Sequence, residues 1–178
     1  MKFNRFFWAP ILIGIVLVAA GAWLVFQKRG VPFVATREQW TIGIYRGDSP
    51  FTVSGSSTLW EPVLRAEDVT DISAKFVADP FLIQEAGRWY LFFEAYNNQT
   101  GQGDLAVATS ENARSWNYDQ VVLDEAFHLS YPYVFRWEGA YYMIPESYEA
   151  NSVRLYRADL FPNRWTFVAT LVEGDEFV

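Results

Sequence analysis

The chain has 178 residues, 51% of them hydrophobic and 19% aromatic, enough apolar material for one sizeable core. It contains no cysteine, which excludes disulfides, thiolate metal centres and lipid-modified cysteine. Beyond residue 30 lie 10 basic and 21 acidic residues, a net charge of −11; that balance argues against nucleic acid and anionic lipid head groups and suits neutral or weakly charged ligands.

After a short tail over residues 1–5, residues 6–26 read FFWAPILIGIVLVAAGAWLVF, an uncharged run of 21 residues between Lys2 and Arg5 on one side and Lys28 and Arg29 on the other. At a rise of about 1.5 Å per residue, such a helix crosses a hydrocarbon core of about 30 Å, so a single membrane-spanning helix is expected. Trp8 and Trp23 stand near its ends, where indoles favour the lipid interface, and Pro10 lies in the first turns, where a missing N–H costs least. The competing reading is a cleaved signal peptide, for which Ala20-Gly21-Ala22 offers a small-residue site. The apolar run continues through Trp23-Leu24-Val25-Phe26, which favours the anchor. Both readings export the C-terminal remainder of the chain. Two basic residues flank each end, so orientation stays open.

Residues 27–39 read as a polar linker, and residues 40–178 as one β domain. Residues 40–45 (WTIGIY) alternate like a strand, and residues 47–57, rich in Gly, Ser, Asp and Pro, read as a loop. A polar, acidic connection occupies residues 65–71. Strands are then expected at 81–84, 89–95, 105–109, 116–123, 133–137, 141–145, 152–157 and 165–171. Gly87 and Gly139 mark two hairpin turns that require a residue tolerant of positive φ. Residues 40–45 and 62–64 are candidates for outer strands that would close a ring with a later part of the chain.

These strands fall into a repeat. Sliding residues 78–96 (ADPFLIQEAGRWYLFFEAY) forward by 52 positions onto residues 130–148 (SYPYVFRWEGAYYMIPESY) superposes Pro80 on Pro132, Gly87 on Gly139, Tyr90 on Tyr142, Glu94 on Glu146 and Tyr96 on Tyr148. An aromatic-rich period of about 40–50 residues, one antiparallel sheet per period, is the signature of a β-propeller blade, which buries both faces only when neighbours stack on it. The expectation is an all-β, incomplete propeller of about two to three blades, with repeats over about 76–125 and 128–175. Phe177-Val178 echoes Phe76-Val77 at the start of the first repeat, so the chain reads as C-terminally truncated where a third repeat should begin.

Equivalent positions carry the candidate chemistry. Asp79 begins the innermost strand of the first repeat, facing the axis, and Tyr131 is its counterpart. Glu94 and Glu146 close the neighbouring strands. Two carboxyl groups in unlike environments around one cleft are what glycosidic cleavage needs, one protonated to donate to the leaving oxygen and one ionised to activate water or attack carbon. Asp79, Glu146 and Glu94 are thus catalytic candidates, although Asp79 before Pro80 also suits a turn cap and recurrent glutamates also suit a scaffold. His128, the single histidine, is either a satisfied hydrogen-bonding group or a ligand contact. Tyr131 and Tyr133 are candidates to stack on a sugar ring. The sequence has no glycine-rich phosphate loop, metal-spaced histidines or nucleophile elbow, so neither a cofactor nor a metal is expected.

The runs Phe76-Val77-Ala78-Asp79-Pro80-Phe81, Gly87-Arg88-Trp89-Tyr90-Leu91-Phe92-Phe93-Glu94 and Phe127-His128-Leu129-Ser130-Tyr131-Pro132-Tyr133-Val134-Phe135 resemble the five-bladed propeller domain at the N-terminus of glucosamine inositolphosphorylceramide transferase-like proteins, itself similar to family 43 glycoside hydrolases. The resemblance covers roughly residues 40–178. It implies five blades in the whole domain, a glycan-acting or glycan-recognising role with a carbohydrate or glycoconjugate as partner, and Asp79 as a general base. The hydrolases carry a second acidic residue on the next blade, where this chain has Tyr131, and an acid on a later blade, where it offers Glu146. Two other readings remain open: a noncatalytic carbohydrate-binding or scaffolding module, and an inactive fragment.

Overall fold

A computed structural model describes residues 40–49, 51–54 and 62–174; the expected membrane helix over 6–26 and the linker over 27–39 lie outside the described residues. The described part is all-β, apart from two single-turn 3₁₀ segments at Ala66–Asp68 and Tyr148–Ala150. A two-residue ladder joins β1 (Arg46–Gly47) to β2 (Val53–Ser54). The first large sheet contains β3 (Ala74–Glu85), β4 (Arg88–Asn97), β5 (Gln102–Ser110) and β6 (Asn117–Leu123), antiparallel and in chain order. The second contains β7 (Ser130–Trp137), β8 (Ala140–Glu146), β9 (Ser152–Leu160) and β10 (Arg164–Glu173), again in chain order. Each repeat is therefore one four-stranded meander.

The hairpins turn where the glycines predict. Ala86 and Gly87 take φ of 48° and 81°, and Glu138 and Gly139 take 47° and 81°. Two successive residues at positive φ form the tight turn whose twist matches that of the flanking strands.

Strand β3 begins seven residues earlier than the sequence suggests, and β7 three. Pro80 and Pro132 lack the N–H a ladder needs, which argues for a break. The chain bypasses each of them instead: the β3–β4 register shifts between Ala78 and Phe81, and the β7–β8 register between Ser130 and Tyr133. A bulge at both places takes the proline out of the ladder and lets the strand resume. The residue before each proline adopts a left-handed conformation, with φ of 51° at Asp79 and 46° at Tyr131. That backbone is unfavourable for a non-glycine residue, and doubly so before proline. Its appearance at both equivalent positions marks Asp79 and Tyr131 as corresponding inner-edge residues.

Alternation along the strands divides the core in two. On one face of the first sheet, Val77, Leu91, Phe93, Ala95, Ala106 and Ala108 pack under Ile42, Leu64 and Val69. On the other face, Phe92, Leu105 and Val107 meet Leu129, Met143, Tyr156 and Trp165, tying the second sheet to the first. Full burial of such side chains stabilises by about 1.5–3 kcal/mol each.

Two expectations fail near the N-terminal side. Residues 40–45 do not form a strand: Ile42 makes one isolated bridge, donating its N–H to Leu64 O at 3.0 Å and accepting from Val63 N at 2.7 Å. The alternation there serves to drop one side chain, Ile42, onto the first sheet while Trp40 and Tyr45 stay exposed. The expected loop over 47–57 contains the β1–β2 ladder, closed by a turn in which Thr52 N–H donates to Ser49 O at 3.1 Å.

Candidate functional site

The inner ends of both sheets converge on a carboxyl cluster. Asp79 comes from the bulge in β3, Glu94 from the last third of β4 and Glu146 from the end of β8. Register explains their meeting. Glu94 pairs with Ala78, next to Asp79, and Glu146 pairs with Ser130, next to Tyr131. Positions that repeat along the chain therefore gather at one edge.

Glu94 is the buried member, with 4% of its surface exposed. Burial is the largest reason its pKa rises, followed by the charge of Asp79, a hydrogen bond shared with the Asp79 carboxyl, and the charge of Glu146; together they push it from 4.5 up to about 8. At neutral pH Glu94 therefore holds its proton.

His128 stands on the loop between β6 and β7. Its Nδ1 accepts from the Gly103 N–H at 2.9 Å, so the neutral ring carries its proton on Nε2, and Nε2 lies 3.6 Å from Glu94 Oε1. The loop is clamped from both sides: the His128 N–H donates to Glu149 Oε2 at 2.9 Å, and the Leu129 N–H to Gly103 O at 3.0 Å. This close approach dictates the glycine. A Cβ at Gly103 would stand 2.4 Å from Leu129 O, 2.7 Å from Glu94 Oε1 and 2.9 Å from His128 Cε1.

Glu146 is held differently. Ser130 Oγ donates to its Oε2 at 2.9 Å and the Tyr148 N–H to its Oε1 at 2.7 Å. It also borders an open cleft of about 200 Å³ with Ser147, Tyr148, Ser152 and Val153. Beside the cluster, Tyr131 and Tyr133 are 56% and 52% exposed, and Phe81 meets both rings edge-on at 6.2 and 6.1 Å between centroids. An exposed aromatic face next to carboxyl oxygens offers both the apolar and the polar contacts a sugar ring needs.

The structure thus brings together Asp79, Glu94, Glu146 and His128, with Tyr131 and Tyr133 adjacent. Of the three catalytic candidates, Asp79 and Glu146 both lie close enough to Glu94 for their charge to raise its pKa. Sequence reasoning passed over Gly103 and Ser130. A signal for Gly103 existed in Gly101-Gln102-Gly103, since the turn itself uses only Gly101, at φ 77°. Among the described residues, no three His, Cys, Asp or Glu side chains form a group able to hold a metal ion.

Two stacked antiparallel meanders with an acidic, aromatic-edged inner end define an all-β protein built from a repeated sheet unit. The chain belongs to the family described as glucosamine inositolphosphorylceramide transferase 1, N-terminal, whose family model matches residues 35–175. Its relatives include glucosamine inositolphosphorylceramide transferase 1 of Oryza sativa subsp. indica, 36% identical over 93% of this chain and 26% of that protein, and that of Arabidopsis thaliana, 39% identical over 71% of this chain and 18% of that protein. The chain therefore spans about a quarter or less of the length of these relatives. Among solved structures it is similar to Zg3597, a family 117 glycoside hydrolase of Zobellia galactanivorans, with a TM-score of 0.44 and 16% identity over 53% of this chain and 37% of that one. It is also similar to the Bombyx mori GH32 beta-fructofuranosidase BmSUC1, with a TM-score of 0.46 and 15% identity over 65% of this chain and 26% of that one.

Proposed function

We propose that the two meanders are adjoining blades of a five-bladed propeller, carried on the exported face by a membrane-spanning helix over residues 6–26, and that their inner ends form a glycan-recognising pocket. The observation that carries this reading is the convergence of Asp79, Glu94 and Glu146 through matching bulges at Asp79 and Tyr131. Carboxyl oxygens accept hydrogen bonds from sugar hydroxyls, and Tyr131 and Tyr133 cover an apolar ring face. The relatives' name, glucosamine inositolphosphorylceramide transferase, supports a glycoconjugate as the partner. Repeat symmetry supports further blades. Tyr142 and Ile144 occupy the positions that Tyr90 and Phe92 hold in the first sheet, and Phe92 is fully buried beneath the second sheet, whereas Ile144 is only half-buried.

Recognition is favoured over cleavage. Hydrolysis across a glycosidic bond requires carboxyl groups about 5–9.5 Å apart, whereas the Asp79 charge stands close enough to the buried Glu94 to help push its pKa up to about 8. Cleavage with Asp79 as base and Glu146 as acid is the second reading, favoured by the separate hydrogen-bonding environment of Glu146. The test uses the full chain in detergent micelles and follows tryptophan and tyrosine fluorescence during titration with methyl glycosides of hexoses and hexosamines. Saturable binding, weakened at least ten-fold by Tyr131→Ala with Tyr133→Ala, is the expected result. Absence of saturation with every glycoside refutes recognition. Turnover of an aryl glycoside that Asp79→Asn abolishes would replace it with the hydrolytic reading.

A further inference from the structure

A second set of carboxyl groups lies on the face of the first sheet opposite Glu94. Residues 104, 106 and 108 of β5 share that face, and Ala106 and Ala108 pack under Ile42, Leu64 and Val69, so Asp104 closes an apolar row. It is 1% exposed. Asn97 Nδ2 donates to its Oδ2 at 3.0 Å, while its Oδ1 is buried and meets no donor among the described residues. Register supplies the neighbour. The β5–β6 ladder pairs Leu105 with Leu123, and one step further along it Asp104 faces Asp124, the exposed first residue of the loop that carries His128. Asp71 stands beside β6, where the Val121 N–H donates to its Oδ2 at 2.8 Å and the Tyr118 hydroxyl donates to its Oδ1. Among the described residues, none of these three aspartates is ion-paired to lysine or arginine. Like charges directly opposite on neighbouring strands repel, and a buried carboxylate oxygen with no donor is costly, so the arrangement lacks a positive partner.

We infer that Asp104 Oδ1 and the Asp124 carboxylate bind a divalent cation, calcium by its chemistry, at this end of the first sheet. The donors are oxygen alone, which selects a hard cation over zinc or copper. Two carboxylates balance its charge. They are fewer than the three acidic groups of a closed cage, so water entering on the exposed Asp124 side completes the shell. Calcium accepts such a mixed, irregular set of about six to eight oxygens, whereas magnesium demands strict octahedral geometry. Asn97 is a positioning residue: its amide holds Oδ2 and leaves Oδ1 for the ion. The ion ties the start of β5 to the start of the loop that ends in His128, and so steadies the Gly103–His128 contact from outside the glycan pocket.

The experiment titrates the full chain in detergent micelles, stripped with EGTA, with calcium chloride, magnesium chloride and sodium chloride at matched ionic strength, by calorimetry and thermal unfolding. A single calcium site is expected, with a Kd of about 10⁻⁴–10⁻³ M, a higher Tm in calcium than in sodium chloride, and weaker binding of magnesium. Asp124→Asn, at an exposed position that folding does not depend on, should weaken calcium at least ten-fold. Asp104→Asn should abolish the calcium effect on Tm and raise Tm in EGTA, because the unpaired buried charge is gone. Equal Tm in calcium and sodium chloride overturns the inference. Calcium binding that both variants retain overturns it as well, by placing the ion elsewhere on this acidic chain, as does calcium binding lost in Asp79→Asn and kept in Asp104→Asn, which assigns the ion to the pocket. Magnesium binding as tight as calcium overturns the choice of ion.

Discussion

Replacing Glu94 by Gln tests the electrostatics of the cluster in the free protein. In the folded chain Glu94 titrates at about 8, against 4.5 ordinarily, so the folded state binds the extra proton and stability falls as pH rises between those values. The limiting slope is roughly 1.4 kcal/mol per pH unit. Between pH 6 and 8 the folded group begins to release its proton, which flattens the fall and leaves a loss of about 2 kcal/mol over the interval. For a chain of this size that is a drop of roughly 4–8 °C in Tm.

Asp104 complicates the profile below that range. Burial raises its pKa from 3.8 to about 6, against the opposing hydrogen bond from Asn97 and helped by the charge of Asp124. Its contribution also declines with rising pH, mostly below pH 6, and is common to wild type and variant. Thermal unfolding followed by tryptophan fluorescence at half-unit steps from pH 5 to 8.5 separates the two. Wild type should lose the full amount between pH 6 and 8, while Glu94→Gln, which cannot ionise, should stay nearly flat there. Parallel curves for the two proteins from pH 6 to 8 would show that Glu94 is ionised throughout and would refute its raised pKa.

Three further substitutions probe the scaffold. Gly103→Ala places a methyl group 2.4 Å from a backbone carbonyl that cannot swing aside; a loss of about 2–3 kcal/mol in urea unfolding is expected, and an unchanged midpoint would mean that the His128 loop is not held against β5. Phe92→Ala empties a fully buried position between the two sheets and should cost about 3–5 kcal/mol, whereas a cost below about 1 kcal/mol would mean that the sheets do not pack there. Ala86→Gly relieves a residue held at φ 48° in the β3–β4 turn and should raise stability by a few tenths of a kcal/mol to about 1, read as a higher Tm; destabilisation would contradict the left-handed turn.

The parts of this protein that are legible in its sequence are those governed by short spacing. Gly87 and Gly139 announce their hairpins because a two-residue turn with positive φ leaves few chemical options. The 52-residue offset aligns Pro80 with Pro132, and with them the two bulges and the two inner edges. Residues 40–45 mislead because alternation reports which side chains are buried, not whether the backbone has a neighbour to bond; Ile42 satisfies the first condition with a single bridge.

The features that stay hidden depend on distance in the chain. Gly103 is a glycine because Leu129 and His128, some 25 residues later, press against it; the local run Gly101-Gln102-Gly103 shows a glycine beyond what the turn needs but not what approaches it. The same holds for Glu94, whose altered acidity arises from burial and from Asp79 lying across a strand pair displaced by a bulge. Had Ala78 and Phe81 paired without that shift, the usual alternation would have sent Asp79 to the face opposite its observed neighbour. The bulge at an unfavourable pre-proline φ is therefore what turns a repeated sheet motif into a site: it costs of order 1–3 kcal/mol of backbone strain and brings the Asp79 charge to bear on the buried Glu94. The second repeat keeps the strained backbone and changes the side chain to Tyr131, so the same device presents an acid in one sheet and an exposed aromatic face in the next.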